Sequence, residues 1–461
     1  MKLKVSNLGA IKEGEIDLSQ RFIVFCGPNG TGKTYLSYVI YGLLKRRLHI
    51  QGSEDFAEKL INEKEAVLDI DFEKLFQYRN NMISTVKSGL DELFGIGDSD
   101  IKKIFGDFHC EFTVGNEEFK QYIIDTSFED GSKLQGVQVK ICKEAGSTQI
   151  RVSILNDAIP NDSIRGLKFL LDSYIYNYMA TYPIGNVEIF PVERNSIYTF
   201  SKELSVRKQE ALDNVLLLMD KEKKVDRFDL YFRNNYKYPL PIRMGLETAD
   251  NLVNIKKQEC QFMQYSSFME EKLLHGRVQV SNEGEIQFKP SQSLRTTLPI
   301  QMTASVVKTL SSLDLYLKHI AALNDLIIID EPEINLHPDN QIMVARMLVR
   351  LMNSGFRVLL STHSDYIVRE INNMVMMSQR SSKVVKGFLA NETYTENDYI
   401  NPEDLGVYYF NYSSSRSKQV KVEKVKVGLS GFSVKSIDTT IENQNKIAEE
   451  LYYGIKYGDK E

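Results

Sequence analysis

The residues best suited to chemistry stand in one glycine-rich stretch near the N-terminus. Positions 27–34 read Gly-Pro-Asn-Gly-Thr-Gly-Lys-Thr and follow the apolar, strand-like run Phe22–Cys26. Glycines at the first and sixth positions followed by Lys33 and Thr34 fit the pattern of a phosphate-binding loop. Backbone N–H groups and the start of the next helix attract phosphate oxygens, the lysine reaches the terminal phosphates, and the threonine hydroxyl binds Mg²⁺. The nucleotide-binding residues predicted from this pattern are Asn29, Gly30, Thr31, Gly32, Lys33 and Thr34.

A glycine-rich turn without a ligand is the alternative interpretation of this stretch. Its context counts against that alternative, because a strand-like run precedes it and a helical pattern follows over residues 33–47. We therefore predict a strand, a loop that binds the phosphates of ATP, and a helix. The basic residues at the end of that helix, Lys45-Arg46-Arg47, are expected to complement the helix dipole.

Two later apolar runs end in residues that suit nucleotide hydrolysis. Leu326–Ile329 has the continuous apolar character of a parallel strand buried on both faces, and Asp330 and Glu331 follow it. An acid at the first position would bind Mg²⁺, and the next carboxylate would activate the hydrolytic water. The run Arg357–Leu360 precedes His363 in the same way. Since the carboxyl ends of parallel strands meet at one edge, these side chains are expected beside the loop.

The composition is compatible with an ordinary globular enzyme. A net charge of −5 over 461 residues does not indicate a nucleic-acid binder, so any basic surface must be local. The four cysteines are far apart and match neither a metal site nor a secreted disulfide pattern, which indicates a reducing, cytoplasmic location. No apolar run approaches the ~20 residues of a membrane span, and the N-terminus has no signal-peptide core.

The elements between the two halves of the site alternate between helix and strand patterns. Residues 53–104 read as helical. The four segments that follow read as antiparallel strands, and a helix is predicted at 161–182. The strand Val187–Pro191 then precedes Glu193 and Arg194, which places charge at another strand end. The four predicted antiparallel strands are 109–115, 118–125, 136–143 and 148–155.

The last 260 residues add a helical region and a tail. Residues 201–223 and 246–274 read as amphipathic helices around an aromatic middle that is expected to pack at their junction, with base stacking as the alternative. A hairpin centred on Gly284 follows. In the tail, Gln419–Val427 alternates valine and lysine like a half-buried edge strand. The alternative role of Lys418, Lys421, Lys424 and Lys426 is contact with nucleic acid or a partner.

The motifs together resemble the ATP-binding-cassette (ABC) ATPases of the OLD, RecF and SMC-like group. The matching stretches are Ser6–Ile11, the loop at 27–34, the Ile-Ile-Ile-Asp-Glu-Pro-Glu box ending at Glu333, and Ser361–Ser364. The resemblance implies an α/β P-loop head, a mixed sheet with flanking helices, interrupted by an inserted α+β and helical-arm region. It also implies that Lys33 and Thr34 bind phosphate and Mg²⁺, Asp330 holds the metal, Glu331 is the general base, His363 faces the γ-phosphate, and Asn335 and His337 face a partner head.

One motif departs from the group. The signature, roughly Ser-Gly-Gly, should precede the Asp330-Glu331 strand by about 25 residues. Positions 303–308 read Thr-Ala-Ser-Val-Val-Lys, which retains Ser305 but no glycine. Ser305 and Lys308 are therefore the signature-position candidates for contact with a γ-phosphate, and slow hydrolysis is expected.

The resemblance also implies a biological role and partners. No Asp-x-Asp of a Toprim nuclease occurs in 391–461, and the insertion is too short for an SMC arm. The chain looks most like the ATPase subunits of bacterial anti-phage systems, of the PARIS type and then the Septu type. That implies a cytoplasmic homo-oligomer built on head-to-tail dimers, a phage-encoded trigger, and a separate effector such as a Toprim-type nuclease, without a membrane partner.

Three rival interpretations remain at this stage. A transporter ATPase would have a compact head and a regular signature. A RecF-like DNA-repair ATPase would bind DNA along a basic surface. A nucleotide-gated scaffold with negligible turnover would fit the missing glycines but not Glu331. The expected division of the chain is an ATPase head at 1–48 and 290–390, an α+β insertion completing it at 49–200, a helical arm or hairpin at 201–289, and a tail subdomain at 391–461.

Overall fold

The computed structural model describes residues 1–461 except positions 47, 51–53, 135, 157–158, 160, 201–237, 259, 292–295, 415–416 and 458–461. The described strands are β1 Lys2–Leu8, β2 Ile11–Asp17, β3 Phe22–Cys26, β4 Glu65–Asp69, β5 His109–Phe112, β6 Phe128–Leu134, β7 Val137–Lys143, β8 Gln149–Ile154, β9 Val187–Phe190, β10 Gly276–Val280, β11 Ile286–Pro290, β12 Leu298–Pro299, β13 Leu326–Asp330, β14 Arg357–Thr362, β15 Leu405–Tyr412 and β16 Val420–Val425.

The described α-helices are α1 Lys33–Lys45, α2 Glu54–Glu63, α3 Phe72–Ser88, α4 Leu90–Phe94, α5 Asp98–Phe105, α6 Asn116–Asp125, α7 Asn161–Thr181, α8 Leu240–Asp250, α9 Leu252–Ile255, α10 Met263–Met269, α11 Ser305–His319, α12 Pro338–Asn353, α13 Asp365–Met376, α14 Lys383–Ala390 and α15 Lys435–Tyr457. A π-helical turn follows α10 at Glu270–Leu274, and short 3₁₀ turns occupy Ile300–Met302 and Pro402–Asp404. Among the described helices, none is both long and apolar enough to cross a membrane.

A nine-stranded mixed sheet runs through the molecule and confirms the predicted α/β class. Its strand order is β5-β1-β2-β16-β15-β3-β14-β13-β9. The strands from β15 to β9 are parallel to one another, whereas β1 pairs antiparallel with β2 and β5, and β16 pairs antiparallel with β15. The carboxyl ends of β3, β14, β13 and β9 therefore share one edge, where ligands of open α/β sheets bind.

Side chains of the central strands alternate between two cores, one on each face of the sheet. Ile23 and Phe25 of β3 pack in the first core, and Phe22, Val24 and Cys26 pack in the second. The first core contains side chains of α1, α3 and α7 and of the four-stranded sheet β4-β8-β7-β6. The second contains α11, α12, α13 and the three-stranded sheet β10-β11-β12. Helices and small sheets cover both faces, which explains why the central strands read as continuous apolar runs.

The region 49–200 contains both confirmed and wrong predictions. Strands predicted at 109–115, 136–143 and 148–155 are present as β5, β7 and β8, and the helix at 161–182 is α7. The strand predicted at 118–125 is wrong, because this segment is α6. Its buried residues Phe119 and Ile123 are four apart, which is a helical spacing. Strand β6 was missed because its Asp, Gly and Ser favour turns over strands.

The region before β13 is built from several short elements. The helix predicted at 201–223 lies outside the described residues. The stretch predicted as one helix at 246–274 contains α8, α9, α10 and the π-helical turn instead. The hairpin centred on Gly284 is confirmed, since β10 and β11 pair antiparallel and Val278 lies opposite Phe288.

The tail contributes two strands to the centre of the main sheet. Strand β15 pairs in parallel with β3, and β16 lies between β15 and β2. The prediction of an edge strand at Gln419–Val427 is therefore wrong. The valine–lysine alternation has another cause: Val420 is fully buried while Lys421 is exposed, so one face of β16 meets solvent although both of its sides are paired.

Candidate functional site

The loop at 27–34, which joins β3 to α1, has glycine with a positive φ angle at three positions. Gly27, Gly30 and Gly32 have positive φ angles of 134°, 73° and 93°. A Cβ at Gly27 would lie 2.3 Å from the Phe410 carbonyl oxygen of β15, and one at Gly32 would lie 2.9 Å from Ile11 Cγ1 of β2. The glycines therefore let the loop lie directly against two strands of the sheet.

The same loop presents backbone donors that suit an anion. Among the described residues, the N–H groups of Asn29, Gly30 and Gly32 donate no hydrogen bond. The side chain of Thr31 is turned away from them, since its hydroxyl donates to the Pro28 carbonyl at 2.8 Å. Together with the N-terminus of α1, these free donors form a cradle of the polarity that phosphate oxygens require.

Lys33 supplies a buried cation beside that cradle. Its Nζ donates to the carbonyl oxygens of Gly27 at 3.0 Å and Pro28 at 2.9 Å. Burial lowers the pKa of Lys33 to about 8, while the charges of Asp330 and Glu331 act in the opposite direction. Lys33 thus remains predominantly protonated at neutral pH in a place where charge is costly, which favours an anionic ligand.

Thr34 and Asp330 meet across the edge of the sheet, as the sequence predicted. Thr34 Oγ1 donates to Asp330 Oδ2 at 2.7 Å, and the hydroxyl of Ser361 donates to Asp330 Oδ1. No group of three or more His, Cys, Asp and Glu side chains that could hold a metal occurs in the part of the chain that the structure describes. A hydroxyl next to a buried carboxylate fits a Mg²⁺ that takes its remaining ligands from phosphate and water.

Glu331 and His363 face each other beside this pair. Glu331 Oε1 and His363 Nε2 are 3.8 Å apart, and the two side chains are 35% and 30% exposed. Burial, and then the charge of Asp330, raises the pKa of Glu331, a direction that makes it a stronger base. Burial, and then the charge of Lys33, lowers the pKa of His363 to about 4, so its imidazole is neutral at pH 7.

Glu333 is a carboxylate of this site to which sequence reasoning assigned no role. Its Oε1 accepts hydrogen bonds from the Thr362 hydroxyl at 2.9 Å and from the His363 backbone N–H at 2.6 Å. Burial raises the pKa of Glu333. The side chain therefore ties the loop after β13 to the loop after β14 and sets the place of the His363 backbone.

Arg194 is the second residue that sequence reasoning did not assign to the site. It is 1% exposed and lies four residues beyond the end of β9. Its guanidinium donates to the carbonyl oxygens of Asp330 at 2.7 Å and Glu331 at 2.8 Å. Burial lowers the pKa of Arg194 to about 10, which leaves it cationic at neutral pH. The strand-end rule could have identified it, because charge after β9 was visible in the sequence.

The signature-position residues are not part of the constellation around Lys33. Ser305 begins α11, and its hydroxyl donates to the Asn335 backbone carbonyl at 3.3 Å. Asn335 is exposed and has a positive φ of 59°. Within the described residues, no hydrogen bond joins Ser305 or Lys308 to the loop at 27–34. The chain therefore carries two groups of predicted site residues, one around Lys33 and one at the start of α11.

The group around Lys33 has the parts that phosphoanhydride hydrolysis needs. Free N–H donors and a lysine suit the phosphates, a hydroxyl and a carboxylate suit Mg²⁺, and a partly exposed carboxylate of raised pKa suits activation of water. The carboxyl ends of β3 and β13 in one sheet position these groups, so the arrangement rests on rigid elements.

Comparisons with known proteins give one family match and several distant structural similarities. No curated protein matches the sequence significantly. The SmcHead bound to the C-winged helix domain of ScpA aligns at 12% identity over 92% of this chain and 97% of that chain, with a TM-score of 0.33. The SMC head domain from Thermotoga maritima aligns at 11% identity over 92% and 98%, with a TM-score of 0.32.

A third solved structure aligns with this chain at similarly low identity and TM-score. The Smc head domain with an extended coiled coil, bound to the C-terminal domain of ScpA and derived from Pyrococcus furiosus, aligns at 14% identity over 98% of both chains, with a TM-score of 0.33. TM-scores this low do not support an assignment. The model of the AAA ATPase domain matches residues 1–368, a range that contains the loop at 27–34, Asp330, Glu331 and His363. With the matched range and the strand-end constellation in agreement, the chain belongs to the AAA ATPase domain family.

Proposed function

We propose that this chain is a slowly hydrolysing ABC-type ATPase that acts as the sensor subunit of an anti-phage defence system and controls a separate effector. The observation that carries the ATPase part is the meeting of Lys33, Thr34, Asp330 and Glu331 at the carboxyl ends of β3 and β13. These residues come from positions some 300 apart in the sequence, and each has the chemistry that its proposed role requires.

Each side chain has a distinct task in the proposed reaction. Lys33 and the free N–H groups of the loop bind the β- and γ-phosphates. Thr34 and Asp330 would hold Mg²⁺, which would supply charge neutralisation at the phosphates. Glu331 takes a proton from the attacking water, and its raised pKa favours that transfer. His363, neutral at pH 7, accepts or donates one hydrogen bond at the γ-phosphate side of the site.

We propose that a second copy completes the site. The exposed start of α11 with Ser305, the nearby Lys308, and the exposed Asn335 form one surface. In a head-to-tail pair this surface would face the phosphates bound by Lys33 of the partner subunit. The absence of glycine at 303–308 limits close backbone approach there, which supports slow turnover.

The sensor role rests on the resemblance to anti-phage ATPases, and a partner experiment tests it. Purified protein is incubated with nucleic acid and Mg²⁺, with and without the product of the neighbouring gene, in the presence of ATP or ADP. We expect no cleavage by the chain alone, and nucleotide-dependent binding or release of the neighbour, because a switch must bind its partner differently in two states. Cleavage by the chain alone, free of contaminating nuclease, would contradict the proposal.

A RecF-like DNA-binding ATPase is the second candidate function, and one surface favours it. A pocket of about 240 Å³ beside the β1–β2 turn is lined by Lys12, Lys102 and Lys103, with Gln419 of the tail at its rim. Clustered lysines are the electrostatic footprint of a phosphate backbone. If this function is correct, replacing all three lysines by alanine should abolish DNA binding at low salt. The sensor proposal predicts that the same triple variant hydrolyses ATP at the unchanged rate.

A further inference from the structure

The Arg194 guanidinium holds together three segments of the chain that meet at the proposed site. Besides the carbonyl oxygens of Asp330 and Glu331, it donates to Pro191 at 3.0 Å through Nη1 and to Thr309 at 3.3 Å through Nε. Every one of these acceptors is a backbone carbonyl. The segments are the end of β9, the turn after β13, and the first turns of α11.

Glu331 has a backbone conformation that needs such support. Its φ is +46°, a region that non-glycine residues seldom occupy and that persists only where the surroundings enforce it. Its N–H donates to the Ser361 carbonyl at 3.1 Å, and its own carbonyl accepts from Arg194 Nη2. The Glu331 carbonyl also accepts from the Ile334 N–H at 3.2 Å. Hydrogen bonds therefore hold the backbone on both sides of the Glu331 Cα, from which its carboxylate projects.

The position of Thr309 adds a connection to the proposed partner surface around Ser305. Thr309 lies one helical turn after Ser305 in α11, so Arg194 bonds the same helix whose start would face a second copy. A small movement of α11 on closure of the pair would thus reach the Glu331 carbonyl through a single guanidinium.

We infer that Arg194 is a positioning residue for hydrolysis, which sets the orientation of the Glu331 carboxylate and couples it to α11. This inference rests on the proposed function, because it assigns Arg194 a task within that same reaction. Arg194 touches no phosphate in this account. Its loss should therefore leave ATP binding nearly intact and slow the chemical step.

The test is a kinetic comparison of Arg194→Lys with a matched control, Arg357→Lys. Arg357 lies at the opposite end of β14 and donates to the carbonyl oxygens of Ser19, Gln20 and Pro183, so it has the same chemistry away from the site. Lysine keeps the charge but cannot span the four carbonyls. We expect Arg194→Lys to lower kcat about 10²-fold, a loss that a misplacement of about 1 Å can cause, with the Kd for ATP within about 3-fold of wild type. Arg357→Lys should change neither value.

A double variant separates positioning from general damage. If Arg194 acts through Glu331, Arg194→Lys combined with Glu331→Gln is no slower than Glu331→Gln alone, because the group being positioned is already absent. An unchanged kcat in Arg194→Lys, or losses that multiply in the double variant, would overturn the inference. Should Arg194→Lys fold poorly by circular dichroism, Arg194→Gln is measured in the same way. The proposed function itself would be refuted if the wild type did not hydrolyse ATP, or if Glu331→Gln did not slow that hydrolysis. The inference about Arg194 would then fall with it.

Discussion

Lys33 is the residue on which nucleotide binding depends most directly. Its ammonium donates to two carbonyl oxygens of the loop, and burial already lowers its pKa to about 8. We expect Lys33→Ala to weaken ATP binding at least about 10²-fold, since charge-assisted hydrogen bonds to phosphate contribute about 1.5–3 kcal/mol each. Titration calorimetry on the variant, with its folding checked by circular dichroism, measures this. Wild-type affinity for ATP in a folded variant would contradict the assignment of this loop as the nucleotide-binding site.

His363 gives the site a defined pH dependence of stability. Its folded pKa of about 4 is below the value of about 6.5 expected in the unfolded chain. Between these two values the unfolded state binds more protons, so the free energy of unfolding falls as the pH falls. We expect this part of the loss to be on the order of 2–3 kcal/mol between pH 6.5 and 4. Urea unfolding should show a smaller loss for His363→Gln over that range, and equal losses would contradict the assignment.

The site was predictable where its chemistry follows sequence spacing and not where it depends on backbone contacts. The loop at 27–34 and the Asp330-Glu331 pair follow apolar runs, and the hydrogen bond between Thr34 and Asp330 brings them together as expected. The roles of Arg194 and Glu333 stayed hidden, because their partners are mainly backbone groups of distant segments. Residue types alone do not show which carbonyl or N–H group a buried side chain reaches.

At the scale of elements, the join between β3 and α1 depends on one glycine. A Cβ at Gly27 would clash with the Phe410 carbonyl of β15 at 2.3 Å, whereas the nearest atom to a Cβ at Gly30 is the Tyr412 hydroxyl at 3.5 Å. Both positions have positive φ, which costs an alanine about 1–2 kcal/mol. Chemical unfolding should therefore show Gly30→Ala destabilised by about that amount and Gly27→Ala by at least about 3 kcal/mol. Equal effects would mean that β15 does not constrain the loop.

Elements with strong periodicity were predictable, and those defined by pairing partners were not. The continuous apolar runs of β3, β13 and β14 correctly predicted that these strands are buried on both faces. Strand β16 has the alternation of a half-buried strand. Such alternation indicates only which face is exposed to solvent, and not whether both hydrogen-bonding edges of the strand are paired. Its place between β2 and β15 comes from long-range pairing, for which a single sequence carries little signal.

At the scale of the molecule, the two parts of the tail should behave differently on truncation. Strand β15 pairs with the central strand β3, while α15 has no buried side chain among its described residues. A chain ending at residue 433 should fold and bind ATP. A chain ending at residue 403 should not fold, because it lacks both β15 and β16. Soluble yield and thermal melting of the two truncations check this, and a folded, ATP-binding 1–403 fragment would contradict the sheet order.

The most direct test of the central claim is the rate of ATP hydrolysis by wild type and by Glu331→Gln, measured side by side with Mg²⁺ over a range of protein concentrations. Glutamine keeps the shape of Glu331 and removes only its basicity. We expect slow wild-type turnover that rises with protein concentration as pairs form, and a variant that binds ATP normally but turns over ~10²–10⁴-fold more slowly. Equal rates for the two proteins, at matched ATP occupancy, would contradict the assignment of Glu331 as the base.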